Sequence, residues 1–462
     1  MSIRFEHITC AYFLGIGGIG MSAIARYLNA KGIRVLGYDK TETDLTRQLS
    51  EEGIHVHYQD LGEEVLKMLD DTTHTMVVLT PAIPQNHTEW QVIQHSGYSI
   101  LKRSQVLGMI SQAFNTFAVA GTHGKTTTST LLAHILSQSS KDCSAFLGGI
   151  SANYNSNLLI SSHSTNLVVE ADEYDRSFLT LHPSVSIITS TDADHLDIYG
   201  EHDALKESFA EFANQTQHNL IIKKELELAS DLKDDKRLIT YSCIQPADFY
   251  ATNIQIRGDE YIFDLHLRDT VLHRVTLGIP GLHNIENAVA ASAGATLAGV
   301  SVNELLQALQ NFKGVKRRFE YIIRNHDMVY IDDYAHHPAE INAIVGSVKQ
   351  MYPHHKLVVV FQPHLYTRTR DFAEGFSESL SLADDVLLLD IYPARELPIP
   401  GVSSEMLLQG ITAKNKRCCT KQEVCAIIES KQPSLLLTLG AGDIDQLVQP
   451  ISETLKRLHG IG

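Results

Sequence analysis

Long apolar runs recur along this chain with helix-like stretches between them, and that pattern restricts the fold more than any other feature. Examples are CAYFLGIG, IRVLGYD, TMVVLT, TFAVAGT, NLVVEAD, VSIITST, MVYIDDY, LVVVFQP, DVLLLDIY and SLLLTLGAG. Several are apolar without alternation and are closed by Gly, Asp or Thr. Such runs suit strands buried on both faces, as in parallel sheets covered by helices. The alternation predicts α/β layers.

The βα series restarts twice, near Ser104–Asn115 and near Asn311–Arg318. With 462 residues, and about 150 per domain, three domains are expected. Their spans read as 1–105, 106–314 and 315–462, the outer two Rossmann-like and the central one of P-loop type. From Asn219 to Thr276 the strands are shorter, as in DFYATNIQI and YIFDLHL, and polar turns separate them. That stretch is expected to be an antiparallel insertion.

Lys plus Arg number 38 against 54 Asp plus Glu, a formal charge of -16. Such a balance disfavours nucleic acid and anionic membrane surfaces as partners, so any bound phosphate needs a local site. The six cysteines are scattered without a CxxC pair, which speaks against zinc and disulfides and for a reducing cytoplasm. No run of about 18 apolar residues occurs, so no membrane span is expected.

Two glycine loops carry the phosphate chemistry. The first, FLGIGGIGMSAIA, sets Gly15, Gly17 and Gly20 in GxGxxG spacing between a strand and a helix, with Asp39 ending the next strand. Glycines there allow close backbone approach to a diphosphate at a helix N-terminus. Alone, the loop fits NAD, another diphosphate such as a nucleotide sugar, or a turn that binds nothing. The second loop, TFAVAGTHGKTTTSTLLAHIL, runs from a strand through Gly121, Thr122, His123, Gly124, Lys125, Thr126 and Thr127 into a helix. GKT is the chemical end of a P-loop: backbone amides cradle phosphate, Lys125 supplies charge, and a Thr hydroxyl can face Mg2+. Val119 stands where the longer P-loop motif has Gly, so the loop is the shorter GTxGKT kind.

Carboxylates follow at neighbouring strand tips: Glu170, Asp172, Glu173 and Asp175 in VVEADEYD, then Asp192, Asp194, His195 and Asp197 in TDADHLDIY. Clustered acids beside a P-loop suit a hard cation. His283, Asn284 and Asn287 open a small-residue helix, where the amides either meet a nucleotide or cap the helix. Later come Lys316, Arg317 and Arg318, then Asp332, Asp333, Tyr334, His336 and His337, then His364, Arg368 and Arg370. The two arginines suit a carboxylate or phosphate. His336-His337 before Pro338 also fits a plain helix start.

Taken in order, GIGGIGMSAIA, AGTHGKTTT, VVEADEYD, DADHLDIY, GLHNIENAVAA, RRFE, DDYAHHPAEI, FQPHLYTRTRD and TLGAGD resemble the Mur ligases of bacterial cell-wall synthesis, over nearly the whole chain from Ala11 to Asp443. Leu365 and Leu147 depart from residues that some relatives carry, Arg and Asn respectively. The resemblance implies an ATP- and Mg2+-dependent cytoplasmic ligase, monomeric or dimeric, that joins L-alanine to the carboxylate of UDP-N-acetylmuramate through an acyl phosphate. It implies UDP-sugar binding by Gly15, Gly17, Gly18, Gly20, Asp39 and Arg103. It implies ATP binding by the residues from Gly121 to Thr127 with Asn287, Arg318 and Asp333, metal binding by Thr126, Thr127, Glu170 and His195, and amino-acid binding by Tyr334, His336 and Arg368. Lys125, Glu170, His195, His336 and Arg368 would be the catalytic set. Three other readings remain: a recycling ligase that adds an intact tripeptide, an NAD-dependent oxidoreductase using the first loop, and a P-loop binding protein without amide chemistry.

Overall fold

The computed structural model describes residues 5–192, 202–257, 260–394 and 396–460. Among these residues the strands form three sheets. The first holds β1 (Cys10–Leu14), β2 (Arg34–Tyr38), β3 (His55–His57), β4 (Thr75–Leu79) and β5 (Ser99–Lys102) in the order β3-β2-β1-β4-β5. All its pairings are parallel, Ala11 lying between Val35 and Met76. This is the doubly wound order, with its switch point where β1 meets β4.

The second sheet holds β6 (Asn115–Ala120), β7 (Ser144–Ser151), β8 (Ser156–Leu159), β9 (Asn166–Glu170), β10 (Val185–Ile188), β11 (Asn219–Lys223), β12 (Leu238–Ser242), β13 (Phe249–Arg257), β14 (Glu260–Leu267) and β15 (Thr270–Thr276). Its order is β15-β14-β13-β12-β11-β10-β6-β9-β7-β8. The expected antiparallel insertion from Asn219 needs correction. β11 and β12 continue the parallel sheet, and β12 pairs parallel with β13. Leu220, Ile221 and Ile222 of β11 are wholly buried, which is the mark of an inner parallel strand.

The third sheet holds β16 (Glu320–Arg324), β17 (Val329–Asp333), β18 (Leu357–Phe361), β19 (Asp385–Leu388), β20 (Asn415–Cys418) and β21 (Leu435–Leu439), ordered β16-β17-β21-β18-β19-β20. Only its edge pair β16–β17 is antiparallel.

Two compact bodies result. One comprises Met1–Thr252, Asp264–His273 and Asn287–Asn311; the other comprises Asn253–Phe263, Arg274–Glu286 and Phe312–Gly462. Within the first body the segments bearing the two glycine loops share one apolar core, from Phe13 and Ile24 to Phe178 and Phe209. Arg26 Nη1 donates to Asn157 Oδ1 at 2.7 Å and ties helix Ile19–Ala30 to the β7–β8 hairpin. A Cβ on Gly108 would lie 2.4 Å from Thr180 O, so helix Arg103–Ser111 packs there at backbone distance.

Candidate active site

In the first body, the loop after β1 is closed by its own backbone. Gly15 N and Ile16 N donate to Tyr38 O at 2.8 and 3.0 Å, and Gly15 has φ +87°. Asp39 accepts from Gly17 N at 2.7 Å, so the acid ending β2 braces the loop. Gly18 precedes helix Ile19–Ala30, whose first N–H groups have no intrahelical partner. A Cβ on Gly20 would lie 2.7 Å from Arg103 Nη1, and Arg103 Nη2 lies 3.4 Å from Asp172 Oδ2. Gly15, Gly17, Gly18, Gly20, Asp39 and Arg103 thus surround one helix N-terminus, with a cation across it.

The second loop is built more tightly. Gly121 has φ +138°, and a Cβ there would lie 2.1 Å from Thr189 Oγ1. Gly124 has φ +81° and begins helix Lys125–Ser137, and a Cβ there would lie 2.7 Å from Asn287 Oδ1. Side chains beyond β10 hold the turn: Ser190 Oγ accepts from His123 N at 2.7 Å and lies 2.9 Å from Thr122 Oγ1. The Thr-rich helix has weak intrinsic propensity, but its residues Thr126 to Leu136 are all buried, so tertiary packing sustains it. Asn287 Oδ1 accepts from Thr128 Oγ1 at 3.1 Å, which places Asn287 against the loop.

Lys125 Nζ donates to Gly121 O at 2.6 Å and to Glu173 Oε1 at 2.9 Å, with Glu173 Oε2 at 2.8 Å. Glu173 is wholly buried. Burial works against the ammonium, but Glu173, Asp172 and Glu170 outweigh it and hold the Lys125 pKa above its ordinary value. Glu170 accepts from Gly148 N at 3.1 Å. His123 Nε2 lies 3.8 Å from Asp192 Oδ2. Thr126 and Thr127 lie in the first turn of the helix and are buried. His195, Asp194 and Asp197 fall outside the described residues. Sequence reasoning noted Glu173 only as one of four acids and did not single it out as the partner of Lys125.

In the second body, Asp333 at the end of β17 accepts from Phe319 N and Ala335 N, both at 2.7 Å. Burial raises its pKa to about 6, against the pull of Arg318 and these amides. The guanidinium carbons of Arg317 and Arg318 lie 5.1 and 5.2 Å from the Tyr334 ring centre. His336 is held near pKa 4, first by burial, and Arg368 and Arg318 push the same way against Glu340. Its Nδ1 lies 3.0 Å from Tyr334 O, so Nδ1 is the donor and Nε2 carries the lone pair. His337 caps helix Pro338–Met351 with Pro at its first position, so that half of the pair is a helix start. Leu365 has φ +69° and begins helix Tyr366–Asp371, where Arg368 is half-buried and Arg370 exposed. Leu365 N bonds Tyr392 O at 2.9 Å, which helps hold this strained turn. His283 is held near pKa 4 by burial and Arg318, and Asn284 Nδ2 donates to Pro280 O at 2.5 Å. Arg318, Asp333, Tyr334, His336 and Arg368 therefore gather at the carboxyl ends of β17 and β18 and the turn before β16.

A P-loop-type turn at the tip of a parallel strand, in a chain that forms three α/β sheets, defines a modular protein of the nucleotide-using kind. The chain belongs to the Mur ligase family. Family models match residues 11–115 (Mur ligase family, catalytic domain), 119–295 (Mur ligase middle domain) and 317–442 (Mur ligase, glutamate ligase domain). It is 49% identical over 453 residues to the UDP-N-acetylmuramate–L-alanine ligase of Parabacteroides distasonis, covering 97% of each chain. It is 46% identical to that of Flavobacterium johnsoniae, covering 98% of this chain and 99% of the relative. The crystal structure of UDP-N-acetylmuramate–alanine ligase from Thermotoga maritima is similar with a TM-score of 0.83 at 28% identity, over 97% of this chain and 99% of that one. A murein peptide ligase from Psychrobacter arcticus shares the fold, with a TM-score of 0.68 at 23% identity over 97% of this chain and 98% of that one.

Proposed function

We propose that this chain is an ATP-dependent ligase that joins L-alanine to the carboxylate of UDP-N-acetylmuramate, an early step in making peptidoglycan precursors. The observation that carries this reading is Arg103, which spans from Gly20 of the first loop to Asp172 at the strand tip facing Lys125. Two anion-binding loops in one body suit a reaction between a nucleotide sugar and ATP. An oxidoreductase would leave the second loop without a task, and a tripeptide ligase is favoured by neither the names nor the identities of the full-length relatives.

In the reaction, a muramoyl carboxylate oxygen attacks the γ-phosphorus and ADP departs. The amine of L-alanine then attacks the acyl carbon, phosphate leaves, and the amine proton passes to solvent or to a basic side chain. Phosphoryl transfer of this kind depends on positioning and charge neutralisation. Lys125 would meet the β- and γ-phosphates, exchanging Glu173 for them or holding both. Asn287, Arg318 and Asp333 would contact the nucleotide. Arg368 would hold the carboxylate of L-alanine, with Tyr334 and the neutral His336 Nε2 orienting its amine.

The three carboxylates of Glu170, Asp172 and Glu173 outnumber the Lys125 ammonium and the Arg103 guanidinium beside them, which fits a divalent cation. Mg2+ keeps several waters and takes phosphate oxygens as ligands, so one or two carboxylates suffice to hold it. Thr126 or Thr127, Glu170 and His195 would hold it, and it would supply charge neutralisation to the phosphoryl group. Among the described residues no helix is long and apolar enough to cross a membrane. The ligase is proposed to act in the cytoplasm, as a monomer or homodimer.

The test is phosphate release with ATP, UDP-N-acetylmuramate and one amine at a time. L-Alanine should support release well above glycine, L-serine or the tripeptide. Release with the tripeptide alone would move the assignment to the recycling activity, and no release with any amine would remove the ligase reading.

A further inference from the structure

Helix Tyr366–Asp371, which carries Arg368, lacks a cap of its own. Its N-cap residue is Leu365, which has φ +69° and no side-chain oxygen to offer the first amides. Those N–H groups have no partner within the helix. The partner comes from the loop after β19. Glu396 accepts from Thr367 N at 3.0 Å through one carboxylate oxygen and from Thr367 Oγ1 at 2.5 Å through the other, and the Tyr366 amide also donates to it. Burial would raise the Glu396 pKa, but the Thr367 hydroxyl, these two amides and His364 outweigh it and hold the carboxyl below its ordinary value. Glu396 is therefore an anion at a helix N-terminus, the end where negative charge is favourable.

The same loop grips the segment before the helix. Tyr392 N donates to Pro363 O at 2.8 Å, and Tyr392 O accepts from Leu365 N at 2.9 Å. The Tyr392 ring stacks on His364, with centres 5.6 Å and planes 19° apart, and His364 in turn meets His336 at 6.1 Å in a T-shaped contact. Within the helix, Thr369 is wholly buried and its Oγ1 donates to Leu365 O at 2.7 Å. The direction of the first turn, and with it the base of the Arg368 side chain, thus depends on groups outside the helix. A guanidinium is planar and meets a carboxylate through two parallel hydrogen bonds, so its orientation matters as much as its distance.

We propose that Glu396 is a positioning residue for amino-acid recognition: by capping helix Tyr366–Asp371 from a separate loop, it sets the direction from which Arg368 meets the substrate carboxylate. This inference rests on the reading of Arg368 as the group that holds the carboxylate of L-alanine. Glu396 acts through the helix, so its loss should show in the use of L-alanine and not in that of ATP or the UDP sugar.

The experiment is steady-state kinetics of the full chain, with L-alanine, ATP and UDP-N-acetylmuramate varied in turn. Glu396→Ala should raise the KM for L-alanine roughly fivefold, the size of one lost helix cap, with kcat and the other two KM values held within about twofold. Glu396→Gln should bring the KM back to within about twofold of the unaltered protein, because its oxygen can take the Thr367 amide and its NH2 can give to Oγ1. In an Arg368→Ala background, Glu396→Ala should add no further rise. Should Glu396→Ala not fold, Thr367→Val, which removes the hydroxyl contact alone, should raise the KM for L-alanine about twofold. An unchanged KM for L-alanine in the variant that folds overturns the inference, as does the same rise with and without Arg368. A fall in kcat with all three KM values unchanged marks a merely structural role and overturns it too. In those cases a raised KM in Arg368→Ala leaves the reading of Arg368 standing; an unchanged KM for L-alanine in Arg368→Ala removes both.

Discussion

Replacing Glu173 by Gln tests whether the buried pair under the second loop is what holds Lys125 in place. The two charges lie 2.8 Å apart, with Glu173 wholly buried and Lys125 13% exposed. At an effective dielectric of about 20 their gross attraction is roughly 6 kcal/mol. Desolvation cancels much of that, and breaking one side of a buried pair typically costs about 3–5 kcal/mol. Gln keeps the shape and one acceptor, and Gly121 O remains 2.6 Å from the ammonium. The expected loss is therefore near the lower end, about 3 kcal/mol. For a body this large that is a fall of roughly 6 °C in its melting transition, at about 2 °C per kcal/mol. Lys125→Met combined with Glu173→Gln should recover much of it, because no buried charge is then left alone, with a coupling of about 2 kcal/mol in the double-mutant cycle. ATP should raise the melting temperature of Glu173→Gln more than that of the unaltered protein, since phosphate oxygens supply the lost partner. Differential scanning fluorimetry with and without ATP reads all four proteins. Additivity of the two substitutions within about 0.5 kcal/mol would refute the reasoning.

Other expectations concern the two bodies separately. Lys125→Ala should abolish turnover yet leave calorimetric binding of the UDP sugar nearly intact, because Arg103 and the Gly15–Gly20 loop hold it; lost UDP-sugar binding would contradict this. Arg368→Ala should mainly raise the KM for L-alanine, and a defect confined to ATP would show the residue faces the nucleotide instead. Stability of the second body should fall on acidification. His283 and His336 hold pKa values near 4, chiefly through burial, against about 6.5 when unfolded. The unfolded state then binds more protons between those values, so stability is lost as pH drops through that window. Asp333, raised to about 6, and Glu320 and Asp332, also raised by burial, bind their protons earlier in the folded state and offset part of the loss. Urea midpoints at pH 7.5 and 5.0 should differ in this direction, and equal midpoints would sink the claim.

Strands buried on both faces were legible because burial removes alternation: β6, β10, β17, β18 and β21 each coincide with an apolar run. β20, Asn415–Cys418, is largely exposed at a sheet edge and carries polar residues, so no such pattern marks it. β11 and β12 were assigned to an antiparallel insertion because polar turns surround them, and turn composition does not report strand direction. The glycine loops were legible because their chemistry is consecutive in sequence. Glu173 was not singled out, since nothing in VVEADEYD says which acid folds back under the loop. The contact of Glu396 with helix Tyr366–Asp371 joins two separate connections, and no spacing encodes it.

The central claim is amide formation through an acyl phosphate, and isotope transfer tests it most directly. UDP-N-acetylmuramate carrying 18O in both carboxylate oxygens should, with ATP and L-alanine, yield phosphate containing one 18O atom, because the oxygen that attacks the γ-phosphorus leaves with it. Phosphate free of label, released together with the amide product, would contradict the account.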